Sequence, residues 1–152
     1  TLAAAKPGWD VTLADVSPDA LSLARENAAK LEISNAGFVE SDLFSAIDGE
    51  FDGIVANLPY VPEGDRATMA REVLHDPALA LFSGADGLDL IRKFVPAAFP
   101  RLKPGGWIVL EIGHDQASQV AGILQASGFA DIDVKKDLSG VARFPVACRP
   151  SP

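Results

Sequence analysis

Short apolar runs alternate along the chain with stretches in which apolar residues return every three or four positions. Val11-Thr-Leu-Ala-Asp15 reads as a strand that ends on a carboxylate. Ser17-Pro18-Asp19 starts a helix, with Ser as N-cap and Pro at the first helical position. Leu21, Ala24, Ala28 and Leu31 recur at helical spacing and predict that helix over about 18–32. Gly37-Phe-Val-Glu-Ser41 is a short strand followed by Asp42, and Phe51-Asp-Gly-Ile-Val-Ala-Asn57 is a third strand. From Leu58 to about Gly87 the chain is irregular and rich in Pro and Gly, too long for a plain connection. A helix is expected over roughly 87–101, broken or kinked by Pro96. Lys103-Pro-Gly-Gly106 reads as a turn, and Trp107-Ile-Val-Leu-Glu-Ile112 as a strand buried on both faces. A helix over 115–127 ends at Gly128, and two last strands, 131–135 and 144–148, are close enough to pair antiparallel.

Strands alternating with helices predict an α/β sheet, mostly parallel. Ligands of such sheets bind beyond the carboxyl ends of the strands. Asp15, Asp42 and Asn57 all fall at such ends, and three polar residues so placed point to one site.

Composition narrows the classes. The 152 residues are 48% hydrophobic and 22% charged, which fits one globular domain and excludes a disordered acidic tail. No apolar run approaches the roughly 18–20 residues that span a bilayer, so no membrane partner is expected. The first residues, Thr1 to Pro7, lack the apolar stretch of a signal peptide. The single cysteine, Cys148, allows no internal disulfide, and a reducing, cytoplasmic setting is expected. The net charge of −8, with no basic run longer than Lys135-Lys136, argues against direct binding of nucleic acid.

Asn57-Leu58-Pro59-Tyr60 carries the most chemistry. An amide nitrogen is a poor nucleophile because its lone pair is delocalised. Oxygen acceptors for its N–H hydrogens help it regain density as it becomes tetrahedral. The Asn57 side-chain carbonyl and the Leu58 backbone carbonyl are two such acceptors. Pro59 restricts Leu58 and so directs its carbonyl, and Tyr60 offers a flat face for a planar amide. Read alone, the tetrapeptide fits a Pro-containing turn capped by Asn somewhat better than an amide site. Asp15 is either a turn residue before Ser17 or a carboxylate for two ribose hydroxyls. Asp42 either caps a short turn or accepts from an adenine amino group, with Leu43 over the ring. His75 and His114 lack metal-ligand spacing, and no metal is expected. Glu111 is a candidate supporting residue at its strand end, and Asp86 is expected to cap the helix starting near Gly87.

These segments, with Gly84-Ala-Asp-Gly-Leu88, Leu102-Lys-Pro-Gly-Gly106, Glu111-Ile-Gly113 and Lys136-Asp-Leu-Ser-Gly140 before Arg143, resemble class I S-adenosylmethionine-dependent methyltransferases. They are most similar to the protein-(glutamine-N5) methyltransferases that modify peptide chain release factors. The resemblance spans essentially the whole chain. It implies a Rossmann-like α/β sheet, mostly parallel with a C-terminal antiparallel strand, as a single catalytic domain over 1–152. It implies S-adenosylmethionine as cofactor and a protein substrate with a target glutamine, a release factor or a ribosomal protein. Asp15, Val16, Asp42, Leu43 and Asn57 then lie on the cofactor side. Asn57, Leu58, Pro59 and Tyr60 grip the glutamine amide.

Two departures stand out. Leu58 occupies a position where the family usually has Pro, which keeps the backbone carbonyl. The family's first strand and glycine-rich loop would precede Thr1, and no Gly-x-Gly-x-Gly occurs in this chain. The expectation is therefore either a gap in the sheet or two open apolar edges, in an N-terminally truncated domain or one whose sheet an oligomer or partner completes. Two rival readings remain: an amino-methyltransferase of nucleic acids, and a non-catalytic remnant.

Overall fold

The computed structural model describes residues 1–69 and 77–151. The chain divides into two compact units, Thr1–Gly49 and Glu50–Pro152.

The first unit holds α1 (Leu2–Ala5), β1 (Val11–Asp15), α2 (Pro18–Lys30) and β2 (Ala36–Glu40). The Ser17 hydroxyl accepts from the Ala20 N–H at 3.2 Å, and Pro18 opens α2. The helix caps as the sequence predicts because an N-cap oxygen satisfies a donor that the first turn leaves orphaned. Leu21 and Ala28 bury its inner face. β1 and β2 pair in parallel, with Asp15 opposite Glu40. The Asn35 side-chain amide donates to the carbonyls of Ala3, Lys6 and Trp9, which ties down the first nine residues.

The second unit is a four-stranded sheet in the order β3-β4-β6-β5, from β3 (Phe51–Asn57), β4 (Leu102–Glu111), β5 (Ala130–Lys136) and β6 (Ala142–Cys148). β3 and β4 are parallel, and β6 runs antiparallel to both neighbours. This is the expected class: one C-terminal strand reversed in an otherwise parallel set. β3 forms an edge of this sheet, and Val55 on it is 59% exposed. α3 (Ala78–Leu81) is a single turn, whereas α4 (Asp89–Ala98) and α5 (Ala117–Ala126) are the packing helices. Ile91 and Val95 of α4, Val120 and Leu124 of α5, Ile108 and Leu110 of β4, and Ile112 just after it are fully buried. Burial of such a side chain contributes about 1.5–3 kcal/mol, so this one layer holds the sheet and its helices together.

Three local expectations are corrected. Residues 103–106 do not leave the sheet as a turn. They bulge within β4, where Leu102 faces Phe51 and Trp107 already faces Gly53. The bulge is held by the Gly105 N–H on the Arg149 carbonyl and the Arg149 N–H on the Gly106 carbonyl, and Gly105 supplies its positive φ of 77°. Pro96 does not break its helix. α4 continues through it to Ala98, and a 3-10 turn over Phe99–Arg101 finishes the run. β4 is fully buried on one face only, since Trp107, Val109 and Glu111 on the other are half-buried.

Gly128 ends α5 with φ of 95°, as the sequence suggests. No helix among the described residues is long and apolar enough to cross a membrane. His75 lies outside the described residues.

Candidate functional site

In the first unit, the parallel register of β1 and β2 brings Asp15, Val16, Asp42 and Leu43 to one strand edge. The Ser41 N–H donates to the Asp15 carbonyl at 3.0 Å, directly joining the two strand ends. Asp15 and Asp42 are exposed, Val16 is exposed, and Leu43 is half-buried. One oxygen of Asp15, Oδ1, accepts from the Ser17 N–H at 2.8 Å. The turn role is therefore real for Asp15, and its Oδ2 lies outside that bond. The turn role for the Asp42 side chain is not. The buried Ser41 hydroxyl accepts from the Ala46 N–H and donates to the Leu43 carbonyl, both at 3.0 Å. Ser41 thus holds the 42–46 turn, and Leu43 in it adopts a left-handed φ of 50°. Two acceptor-only carboxylates at one strand edge, with an aliphatic side chain beside each, suit hydroxyl and amine donors on a flat apolar body.

In the second unit, Asn57 ends β3 opposite Glu111, the end of β4. The Asn57 side chain is exposed and makes no capping hydrogen bond among the described residues. Leu58, Pro59 and Tyr60 are half-buried and line a cavity of about 480 Å³, with Gln116 and Arg143 in its wall. The irregular stretch after Asn57 is ordered by its own backbone. The Val61 N–H donates to the Leu81 carbonyl, the Ser83 N–H to the Val61 carbonyl, and the Glu63 N–H to the Gly84 carbonyl. The loop from Asn57 is thereby strapped to residues 81–84.

The 84–88 segment turns on two glycines with φ of 76° each. A Cβ on Gly87 would fall on the Tyr60 carbonyl oxygen, so only glycine lets the loop seat there. Asp86 does not cap α4. Its carboxylate accepts from the Leu88 N–H and pairs with Arg92, while the buried Ser83 hydroxyl accepts from the Leu90 N–H at 2.8 Å. The Arg92 guanidinium holds the Asp86 carboxyl down to about 2.

Arg143 is held at the cavity wall by two contacts. Its guanidinium donates to the Ile112 carbonyl, and its Nε lies 3.2 Å from Asp137 Oδ2. The Asp137 carboxylate is held below its usual range mainly by the Val141 N–H, with Ser139 N–H and Arg143 adding to it. This explains the Lys136–Arg143 segment as a hairpin turn that fixes a cation. His114 lines the same cavity, and no group of metal-ligating side chains occurs among the described residues. Cys148 is a free thiol in β6.

A family model described as the methyltransferase small domain matches residues 1–86. The chain belongs to that family. It is 48% identical over 143 residues to a release factor glutamine methyltransferase of Deinococcus radiodurans, covering 94% of this chain and 51% of that protein. It is 40% identical over 154 residues to the protein of the same name from Prochlorococcus marinus, covering 98% of this chain and 53% of the relative. The chain thus spans about half the length of the curated relatives it matches. The solved structure of a methyltransferase from Pyrococcus furiosus shares the fold, with a TM-score of 0.71 at 18% identity, covering 98% of this chain and 68% of that one. This fold is the class I methyltransferase α/β arrangement that the sequence predicts.

Three groups in this member of the methyltransferase small domain family carry no sequence motif. Ser41 and Ser83 are buried hydroxyls that wire turns. Gln116 is a buried amide three residues after Gly113, a spacing that marks a turn before a helix.

Proposed function

We propose that residues 1–152 form the catalytic domain of an enzyme that moves a methyl group from S-adenosylmethionine to the side-chain amide nitrogen of a glutamine in a protein. A peptide chain release factor is the substrate the reading favours, since the relatives that match most of the chain carry that name. When bound, S-adenosylmethionine supplies the methyl carbon, which is electrophilic on its sulfonium.

The observation that carries the reading is the Asn57–Tyr60 loop. Asn57 holds an uncommitted carbonyl acceptor at the end of β3, and the backbone straps at Val61 and Glu63 fix the loop that follows. Asn57 Oδ1 and the Leu58 carbonyl accept the two N–H hydrogens of the target amide. Pro59 restricts Leu58 to extended conformations and so directs its carbonyl. The Tyr60 ring stacks on the amide plane. Positioning of the amide is the main source of rate.

The acceptors of the first unit suit the cofactor. Asp15 offers a carboxylate to ribose hydroxyls, Asp42 to the adenine amino group, and Val16 and Leu43 cover the ring. No metal takes part in this scheme, and the protein is assigned to the cytoplasm, where release factors work.

The test is incubation with S-adenosylmethionine and a release factor, followed by peptide mass mapping. One methyl group on one glutamine side chain is expected, and none when that glutamine is replaced. Methylation of a nucleic-acid base instead would install the rival amino-methyltransferase. Absence of cofactor binding would make the chain a remnant.

A further inference from the structure

We propose that Gln116 is the positioning residue of the Asn57–Tyr60 loop: its side-chain amide sets the direction in which that loop presents its carbonyl acceptors. The Gln116 side chain is only 3% exposed. Its Nε2 donates to the Tyr60 carbonyl at 2.9 Å and to the Asp86 carbonyl at 3.1 Å. Its Oε1 accepts from the Gly113 N–H at 2.8 Å. Two carbonyls and one N–H leave a single amide orientation that satisfies all three. One side chain therefore joins the loop after β3, the 84–88 turn and the turn that starts α5.

Burial of an amide is costly unless every group finds a partner. An apolar residue would fill the space and leave the Tyr60 carbonyl without its donor. Gly87 leaves room for this bond, because a Cβ there would meet Gln116 Nε2 at 2.7 Å as well as the Tyr60 oxygen. The Tyr60 carbonyl is thus held by the Gln116 donor in a space that only glycine at 87 leaves open. Leu58 lies two residues upstream in the same loop, so the bond to the Tyr60 carbonyl anchors the segment that follows the Leu58 carbonyl. The consequence for catalysis rests on the glutamine-gripping reading; the positioning itself rests on geometry alone.

Tyr60 is the single tyrosine of the chain, so ring labelling gives one resonance that reports on the loop. The experiment compares wild type, Gln116→Met, Gln116→Glu and Gly87→Ala by that resonance, by cofactor Kd, and by kcat and KM for methyl transfer. Gln116→Met is expected to move or broaden the Tyr60 resonance and to lower kcat about 10²-fold. The cofactor Kd is expected to stay within about twofold, far less than the tenfold that 1.4 kcal/mol represents. Gln116→Glu is expected to match it near neutral pH, where a carboxylate faces two carbonyl oxygens. On acidification Gln116→Glu should recover the wild-type resonance, because protonation restores one donor; Gln116→Met has no such recovery. A merely structural role predicts no such pH-dependent split between the two.

An unmoved Tyr60 resonance in Gln116→Met overturns the proposal, and so does a moved resonance with unchanged kcat. If Gln116→Met does not fold, Gly87→Ala decides on the same readouts, since it keeps the amide and displaces the Tyr60 carbonyl. A wild-type protein that leaves glutamine unmethylated defeats the functional reading, and the Tyr60 resonance still decides the positioning.

Discussion

Asn57 and Glu111 stand opposite each other at the carboxyl ends of two parallel strands, 54 positions apart in the chain (111 − 57) and adjacent in the sheet. The pairing places an amide acceptor and a carboxylate at the same strand edge. Glu111 is half-buried beside the exposed Asn57. Glu111→Gln keeps the size and one carbonyl acceptor while removing the charge. A drop in kcat with unchanged melting temperature is expected, about tenfold as for loss of one supporting charged contact. Methyl-transfer kinetics on both proteins check it, and unchanged kcat would leave Glu111 as a bystander.

Asp15 holds the Ser17 N–H and is proposed to hold the cofactor ribose, and substitutions can separate the two. Asp15→Ala loses both the Ser17 bond and the outward oxygen. Asp15→Asn keeps an oxygen for the Ser17 N–H and loses the charge. Both should weaken S-adenosylmethionine binding, Asp15→Ala by about tenfold to a hundredfold, as expected for a charge-assisted hydrogen bond. Only Asp15→Ala should also lower the melting temperature. Calorimetric titration and thermal unfolding of the two variants separate the duties. Affinity within about twofold of wild type in Asp15→Ala would remove the ribose assignment.

Gly53 sits where β3 passes under the Trp107 indole, and a Cβ there would fall into the ring. Gly53→Ala should therefore destabilise the second unit by about 1–3 kcal/mol, the usual cost of an overpacked site. Trp107→Leu in the same chain should remove part of that cost, because the two positions are in contact and their effects do not add. Urea unfolding of the two single variants and the double variant measures the coupling.

The fold was legible wherever local pattern and packing agree. The Ser17-Pro18 start, the Phe51–Asn57 strand and the Gly128 stop all lie where the chain places them, because capping, alternation and left-handed glycine are local effects. The 103–106 bulge was not legible. Pro-Gly-Gly ordinarily marks a turn, and here the partner is Arg149, more than forty residues away. Val55 and Leu13 sit in apolar strands but remain exposed, since apolar pattern alone does not say which edge is covered. At the site, the polar strand ends were readable from the parallel-sheet rule. Gln116, Ser41 and Ser83 were not, because a buried polar side chain is defined by partners that only the fold brings near.

The Asp86–Arg92 pair gives a pH signature. Asp86 has its carboxyl depressed from 3.8 to about 2, first by the Arg92 hydrogen bond. A carboxyl with a depressed folded value stabilises the fold fully above its unfolded value. That contribution is lost as pH falls from about 3.8 through about 2. Asp86→Asn should flatten the melting-temperature curve in that window and leave it parallel to wild type above it. An identical acid limb in the variant would mean that the pair does not report on folding.

The Asn57 side-chain carbonyl is proposed to accept from the target amide as its nitrogen becomes tetrahedral. An interaction made mainly in the transition state lowers kcat when removed and spares ground-state binding. The decisive measurement is kcat for methyl transfer to a glutamine-containing release factor by Asn57→Ala beside wild type, with cofactor Kd measured on the same samples. A loss of about 10²–10³ in kcat, with cofactor affinity nearly unchanged, is predicted from the removal of one preorganised polar partner. Full activity in Asn57→Ala would contradict it.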